Sequence, residues 1–339
     1  MFEIRSEILP WVQSNKKFAL ATVIHTWGSS PRPIGSAMAI SEDLEMIGSV
    51  SGGCVEGAVV KKAKEVLESG QPQHLSFGVA DEDAWAVGLS CGGKMQVLLE
   101  PFIAYTQNEV WQALHTALDN NQGCVLISKI NNESHEHLLV FPDGKTIGNA
   151  PVALAAAGLK AYKERNHQIA EYDGAAYFVQ VFPRKSQMII IGAAHITVDL
   201  VNFANQFGFE TVVIDPRGIF ANKTQFSSPP EQLIADWPAE VMGQFTFDPY
   251  TYAVILSHDP KIDDQALHHL LRSEVAYIGA LGSKRTHAKR IARLEKAGYT
   301  PEEIDRIHGP IGVNINAKTP KEIALSIIAE IIQVKNAFR

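Results

Sequence analysis

Apolar and polar positions follow two textures along the chain. Up to about residue 105, short apolar runs alternate with Gly-rich turns, and their spacing predicts strands over 18–26, 36–41, 46–50 and 94–99. Between them, Val55, Ala58, Val59, Ala63, Val66 and Leu67 recur at three- and four-residue spacing, which predicts a helix over 55–69 that ends at Gly70. The pattern weakens from 106 to 185. There it predicts helices over 109–120 and 150–165, strands over 124–130, 137–141 and 175–182, and a turn at Pro142-Asp143-Gly144-Lys145. No internal repeat stands out.

From Met188 onward strands and helices alternate. Strands are expected over 188–191, 211–214, 252–257 and 276–280, and helices over 196–207, 263–272 and 285–297, which indicates a parallel sheet covered on both faces. A last helix is entered through Thr319-Pro320-Lys321-Glu322, with Thr, Pro and Glu at N-cap, N1 and N3. The change of texture near Pro183-Arg184-Lys185-Ser186 predicts an α+β domain over 1–185. A Rossmann-like, doubly wound α/β domain follows over 186–339.

Composition narrows the function. The 339 residues carry 30 Lys+Arg against 37 Asp+Glu, a net charge of −7 with no basic block, so nucleic acid is not an expected partner. No apolar run approaches the roughly 20 residues of a bilayer span. The start also lacks the basic-then-apolar order of a secretion signal. Three cysteines, Cys54, Cys91 and Cys124, cannot build a disulfide framework and fit a reducing, cytoplasmic setting. A homodimer is expected because intracellular proteins of this size are commonly symmetric oligomers.

Two cysteines stand beside Gly-Gly pairs, in Ser51-Gly52-Gly53-Cys54-Val55-Glu56 and in Ser90-Cys91-Gly92-Gly93. Such turns let a ligand approach closely, and the start of the 55–69 helix favours thiolate at Cys54. A thiolate there serves a nucleophile, a soft-metal ligand or a contact to a sulfur-bearing cofactor, whereas a plain buried cysteine serves packing. Cys124, within an apolar run, fits packing. A structural zinc is disfavoured because the cysteines are not paired as C-x2-C, and no metal site is assigned. His25 and His74 are the histidines of this region that a cysteine nucleophile could use. The loop Gly28–Pro33 carries Ser29 and Arg32, the latter either an anion clamp or part of a stiff turn.

In the second domain, Gly192-Ala193-Ala194-His195-Ile196-Thr197 follows a strand and opens a helix, where backbone N–H groups can face a phosphate. Asp215 lies 23 residues on (215 − 192), the position of a ribose acceptor. Read as G-x-G-x-x-G, the turn has Ala194 and Thr197 in place of glycines; the first crowds a phosphate and the second loosens helix–strand packing. His195, His258, Ser283 and Arg285 follow strands that should end at one sheet edge, a polar rim for an anionic ligand.

These residues together resemble the XdhC/CoxI family. Gly28 to Arg32, Gly48 to Glu56 and Cys91-Gly92-Gly93 resemble its amino-terminal module. Its Rossmann-like module is matched by Gly192 to His195, Asp215-Pro216-Arg217, Ile278-Gly279 through Arg285, and Pro310-Ile311-Gly312-Val313 through Ala324. The resemblance implies an accessory protein of molybdenum hydroxylases of the xanthine dehydrogenase type, a cofactor-binding chaperone more than a stand-alone enzyme. It would bind the molybdenum cofactor, assist its sulfuration together with a cysteine desulfurase, and deliver it to the apoenzyme. Ser29, Arg32, Gly52, Gly53, Cys54, Glu56, Cys91, Gly92, Gly93, Gly192, Ala194, His195, Asp215, Arg217, His258, Ser283 and Arg285 are the implied contacts, with Cys54 and Cys91 as candidate reactive thiols. The alternative is an NAD(P)-dependent oxidoreductase using the Rossmann-like domain, and a nucleotide or dinucleotide is the further candidate ligand. Two positions depart from the family pattern, Ala194 and Asn316, where glycine is common.

Overall fold

The computed structural model describes residues 2–28, 32–78, 93–102, 108–131, 135–218 and 226–337. The chain divides into two compact units, Met1–Phe182 and Pro183–Arg339.

The first unit is built from two antiparallel sheets of five strands each. Strands β1 (Phe18–Trp27), β2 (Ala37–Ser41), β3 (Met46–Gly48), β4 (Gln73–Phe77) and β5 (Lys94–Phe102) form one, in the order β3-β2-β1-β5-β4. Strands β6 (Cys124–Lys129), β7 (His137–Val140), β8 (Thr146–Gly148), β9 (Gln168–Tyr172) and β10 (Ala175–Phe182) form the other, in the order β8-β7-β6-β10-β9. The two orders are the same path traced twice. Each sheet is preceded by a helix, Arg5–Gln13 or Glu109–Asp119, and each carries a helix between its third and fourth strands, Glu56–Ser69 or Ala155–Glu164.

This repeat was not visible in the sequence, because few side chains are shared between the copies. One pair that is shared has a backbone reason. Gly48 (φ 84) and Gly148 (φ 135) end the third strand of each copy, and a Cβ there would lie 2.4 Å from the Ala37 carbonyl oxygen and 2.1 Å from that of His137. Only glycine allows so close a backbone approach.

Alternation along β1 explains the layering. Phe18 and Leu20 enter a core with Ile8, Trp111 and Leu114, and this core also takes Leu126, Leu139 and Phe182 from the second sheet. Ala19, Ala21 and Val23 face the opposite way, onto Val59, Ala63 and Val66 of the Glu56–Ser69 helix. A two-residue period thus buries both faces of the strand.

The second unit is a Rossmann-like parallel sheet of six strands. These are β11 (Gln187–Ile191), β12 (Glu210–Ile214), β13 (Gln232–Ile234), β14 (Thr251–Ile255), β15 (Tyr277–Ala280) and β16 (Ile307–His308), in the order β13-β12-β11-β14-β15-β16. Met188, Ile190 and Val254 pack on one face against Leu200, Val201, Ile327 and Ile331. Ile189, Ile191 and Ile255 pack on the other against Ile262, Leu267 and Leu294. The Pro320–Asn336 helix opens with the expected capping box between Thr319 and Glu322. Asn316 departs from glycine at a left-handed position (φ 57), which asparagine tolerates better than most residues. Among the described residues, no helix is long and apolar enough to cross a membrane.

Candidate functional site

The Cys54 loop is organised by its own side chains. Oε1 of Glu56 accepts from the Ser49 hydroxyl (2.7 Å) and from the N–H groups of Val50 (3.3 Å) and Ser51 (2.8 Å). Oε2 accepts from the Ser51 hydroxyl (2.5 Å) and the Gly53 N–H (2.9 Å). The Ser51 hydroxyl oxygen in turn accepts from the N–H groups of Cys54 and Val55, both at 2.9 Å, and that of Ser49 accepts from Gly52 N–H at 2.8 Å. Partial burial raises the Glu56 carboxyl, but the Ser49 and Ser51 hydrogen bonds outweigh it and bring it down to about 2.

The loop therefore directs its amides inward to Glu56 and the two serines, not outward to a phosphate. What it presents instead is the partly exposed Cys54, which packs beside Val55 and Val59. Gly52 (φ 74) and Gly53 (φ 116) supply the left-handed backbone that makes this inward turn.

The other expected contacts of this unit are distributed differently. Arg32 is ion-paired with Glu3. Gly93 immediately precedes β5. Ser29, Cys91 and Gly92 lie outside the described residues. Cys124 is wholly buried, and burial pushes its thiol up to about 12, in keeping with a packing role. His25 sets its ring edge-on to Trp27, with centroids 3.8 Å apart.

In the second unit, register brings three strand ends together. Ile191 of β11 lies opposite Ile255 of β14, and Ile255 opposite Ala280 of β15, so the chain leaves all three at one edge. His195, His258 and Arg285 are exposed there, and Ser283 caps the Lys284–Lys296 helix by accepting from Thr286 N–H at 3.2 Å. Ala194 is the N-cap of the His195–Gln206 helix, in an extended conformation and without a side-chain cap.

Gly192, Thr197 and Asp215 act on the fold itself. A Cβ on Gly192 (φ 103) would lie 2.7 Å from the Ser257 backbone, so glycine is needed for the neighbouring strand exit. Thr197, expected to loosen the contact, is buried and its hydroxyl donates to the Gly192 carbonyl at 2.6 Å, which tightens it. Asp215 is 0 % exposed; Oδ2 accepts from Ala193 N–H and Arg217 Nη2, both at 2.8 Å, and Oδ1 from Arg217 N–H and Nε, both at 2.9 Å. Burial raises this carboxyl, but Arg217 and the Ala193 amide outweigh it and hold it below the ordinary range.

Sequence reasoning missed a buried relay behind this edge. The Ser257 hydroxyl donates to Asp263 at 2.5 Å, Asp263 lies 3.6 Å from the Arg290 guanidinium, and Arg290 donates to the Leu281 carbonyl at 3.0 Å. The relay ties the loop after β14 to the loop after β15. Its central link, Asp263 to Arg290, joins two helices 27 residues apart (290 − 263), and no local motif marks it.

A glycine-flanked thiol on a doubled antiparallel scaffold, followed along the chain by a Rossmann-like sheet with a polar edge, defines the class of protein. Two family models match it: "XdhC and CoxI family" over residues 11–78 and "XdhC Rossmann domain" over residues 188–331. The chain belongs to the XdhC and CoxI family. It is 28% identical over 327 residues to a Bacillus subtilis protein named as a probable xanthine dehydrogenase component, covering 96% of this chain and 95% of that one. It is 23% identical over 325 residues to the Escherichia coli molybdenum cofactor insertion chaperone PaoD, covering 96% and 85%. A crystal structure from Bacillus halodurans, described as a xanthine dehydrogenase, matches with a TM-score of 0.64 at 29% identity, covering 98% of this chain and 96% of that one.

Proposed function

We propose that this protein is an accessory factor in the maturation of a xanthine dehydrogenase-type molybdoenzyme, binding molybdenum cofactor as cargo, assisting its sulfuration and delivering it to the apoenzyme. The observation that carries the reading is the loop fixed by Glu56, which holds the Cys54 thiol at the surface of a rigid turn. A terminal sulfur on molybdenum is labile in water, so a carrier benefits from a soft, fixed contact, which a cysteine sulfur supplies. The likeness to PaoD, a cofactor insertion chaperone by name, supports the same reading.

The polar rim of His195, His258, Ser283 and Arg285 suits the phosphate of the cofactor's pterin or a nucleotide. Asp215 weighs against an ordinary dinucleotide site, because its carboxylate oxygens are bound to Arg217 and the Ala193 amide where a ribose would need them. A cysteine desulfurase as sulfur donor and a homodimeric state complete the proposal.

The test is anaerobic loading of the purified protein with molybdenum cofactor, followed by transfer to a xanthine dehydrogenase apoenzyme. Cys54→Ala should lower both the retained sulfurated cofactor and apoenzyme activation, with the melting temperature unchanged. Full activation by a folded Cys54→Ala variant would reject the role of this loop. Failure of the wild type to retain molybdenum would reject the function.

A further inference from the structure

In the first unit, a cluster of donors lies apart from the Cys54 loop. Glu100 on β5, His135 and His137 each offer one ligand atom, and these atoms all lie within 4.8 Å of one another. Glu100 and His137 are buried and His135 is partly exposed. The two histidines flank Glu136 on an extended segment, so both imidazoles share one side while Glu136 turns the other way to Lys129 at 2.6 Å.

The surroundings hold both histidines as a metal site requires. A metal-bound imidazole donates its second ring nitrogen to an oxygen acceptor, which fixes the ring and its tautomer. Here His137 Nδ1 lies 3.0 Å from the Ser128 hydroxyl, and His135 Nε2 lies 3.0 Å from the Gly70 carbonyl. A carbonyl can only accept, so His135 carries its lone pair on Nδ1. Asn149 clamps the backbone of both histidines: its Oδ1 accepts from His137 N–H, and its Nδ2 donates to the His135 carbonyl, each at 3.0 Å. Trp111, with its ring centroid 5.5 Å from that of His137, adds an aromatic wall.

Glu100 and His137 approach to 3.4 Å, which is long for a charge-assisted hydrogen bond. It fits two donors sharing one ion, since bonds of about 2.0–2.1 Å in a tetrahedron set ligand atoms about 3.3 Å apart. A buried carboxylate is costly unless it takes up a proton or a cation accompanies it. We propose that Glu100, His135 and His137 form a binding site for a divalent first-row transition-metal ion, of which Zn2+ is the best fit, tying the last strand of the first sheet to the second strand of the other. Three protein donors leave one tetrahedral position for water.

The test uses the full chain with Cys54 and Cys91 changed to Ser, which removes competing thiols, stripped with chelator and titrated with Zn2+ or Co2+ alone. One equivalent should bind. The Co2+ form should show the visible absorption of a low-coordinate site with no thiolate charge-transfer band, and Zn2+ should raise the melting temperature. Glu100→Gln and His135→Gln, each first shown by circular dichroism to fold, should bind at least about 100-fold more weakly and lose the thermal shift. His135 is partly exposed, so its variant keeps the test valid if Glu100→Gln fails to fold. No binding by the parent protein, or a full equivalent retained by a folded variant, would overturn the site and leave an ordinary buried His–Glu pair.

Discussion

Glu56 divides its carboxylate over Ser51, Oε1 accepting from the serine N–H at 2.8 Å and Oε2 from its hydroxyl at 2.5 Å. One anion at the start of a helix thus organises the whole turn, and the helix N-terminus favours its charge. Glu56→Gln puts an NH2 group where donors converge, and should cost about 1–3 kcal/mol in urea unfolding at neutral pH.

The same carboxyl gives a pH signature. It sits at about 2 in the folded chain against an ordinary 4.5, so its stabilisation is complete above about pH 4.5 and is lost as pH falls toward 2. The stability gap between wild type and Glu56→Gln should therefore narrow over that window. A gap of constant size from pH 7 to pH 3 would contradict the assignment.

Arg217 is the counter-ion of a fully buried carboxylate. Arg217→Met leaves Asp215 with only its backbone donors, and should cost about 2–4 kcal/mol in chemical unfolding. A loss below about 0.5 kcal/mol would mean that water replaces the guanidinium without penalty.

Two glycines should differ sharply when changed to alanine. Both have left-handed backbones, but a Cβ on Gly192 meets the Ser257 backbone at 2.7 Å, whereas one on Gly53 meets nothing within 4 Å. Gly53→Ala should cost about 1–3 kcal/mol of backbone strain alone. Gly192→Ala should cost more, or abolish soluble expression, and equal melting temperatures would refute the packing argument.

Cysteine labelling separates the two described thiols. Native protein treated with iodoacetamide at neutral pH should be modified at Cys54 and not at Cys124, which is buried with its thiol pushed up to about 12. Peptide mass spectrometry with and without denaturant reads this directly.

Much of the second unit was legible because each parallel strand and its covering helix are local in sequence, as with Met188, Ile190 and the His195–Gln206 helix that follows them. The Glu56–Ser69 helix was legible for the same reason. What the sequence hid depends on distant pairing. Leu20 meets Glu100 across the first sheet, and Glu100 meets His137 of the second, and no local period announces either contact. The role of Arg217, expected as a ligand contact, was hidden differently. Its side chain folds back over two residues to Asp215, so a carboxylate in the usual place for a ribose is occupied by the chain itself. The helix Arg5–Gln13 went unread because Pro10 lies inside it, where proline ordinarily breaks the pattern.

The twofold path of the first unit has a mechanical consequence. Phe18 and Phe102 from one copy share hydrocarbon contacts with Leu126 and Phe182 from the other, so neither can open without wetting its twin. Heating should melt the pair in one cooperative step, and the thiol turn borrows the rigidity of both copies although only one carries it.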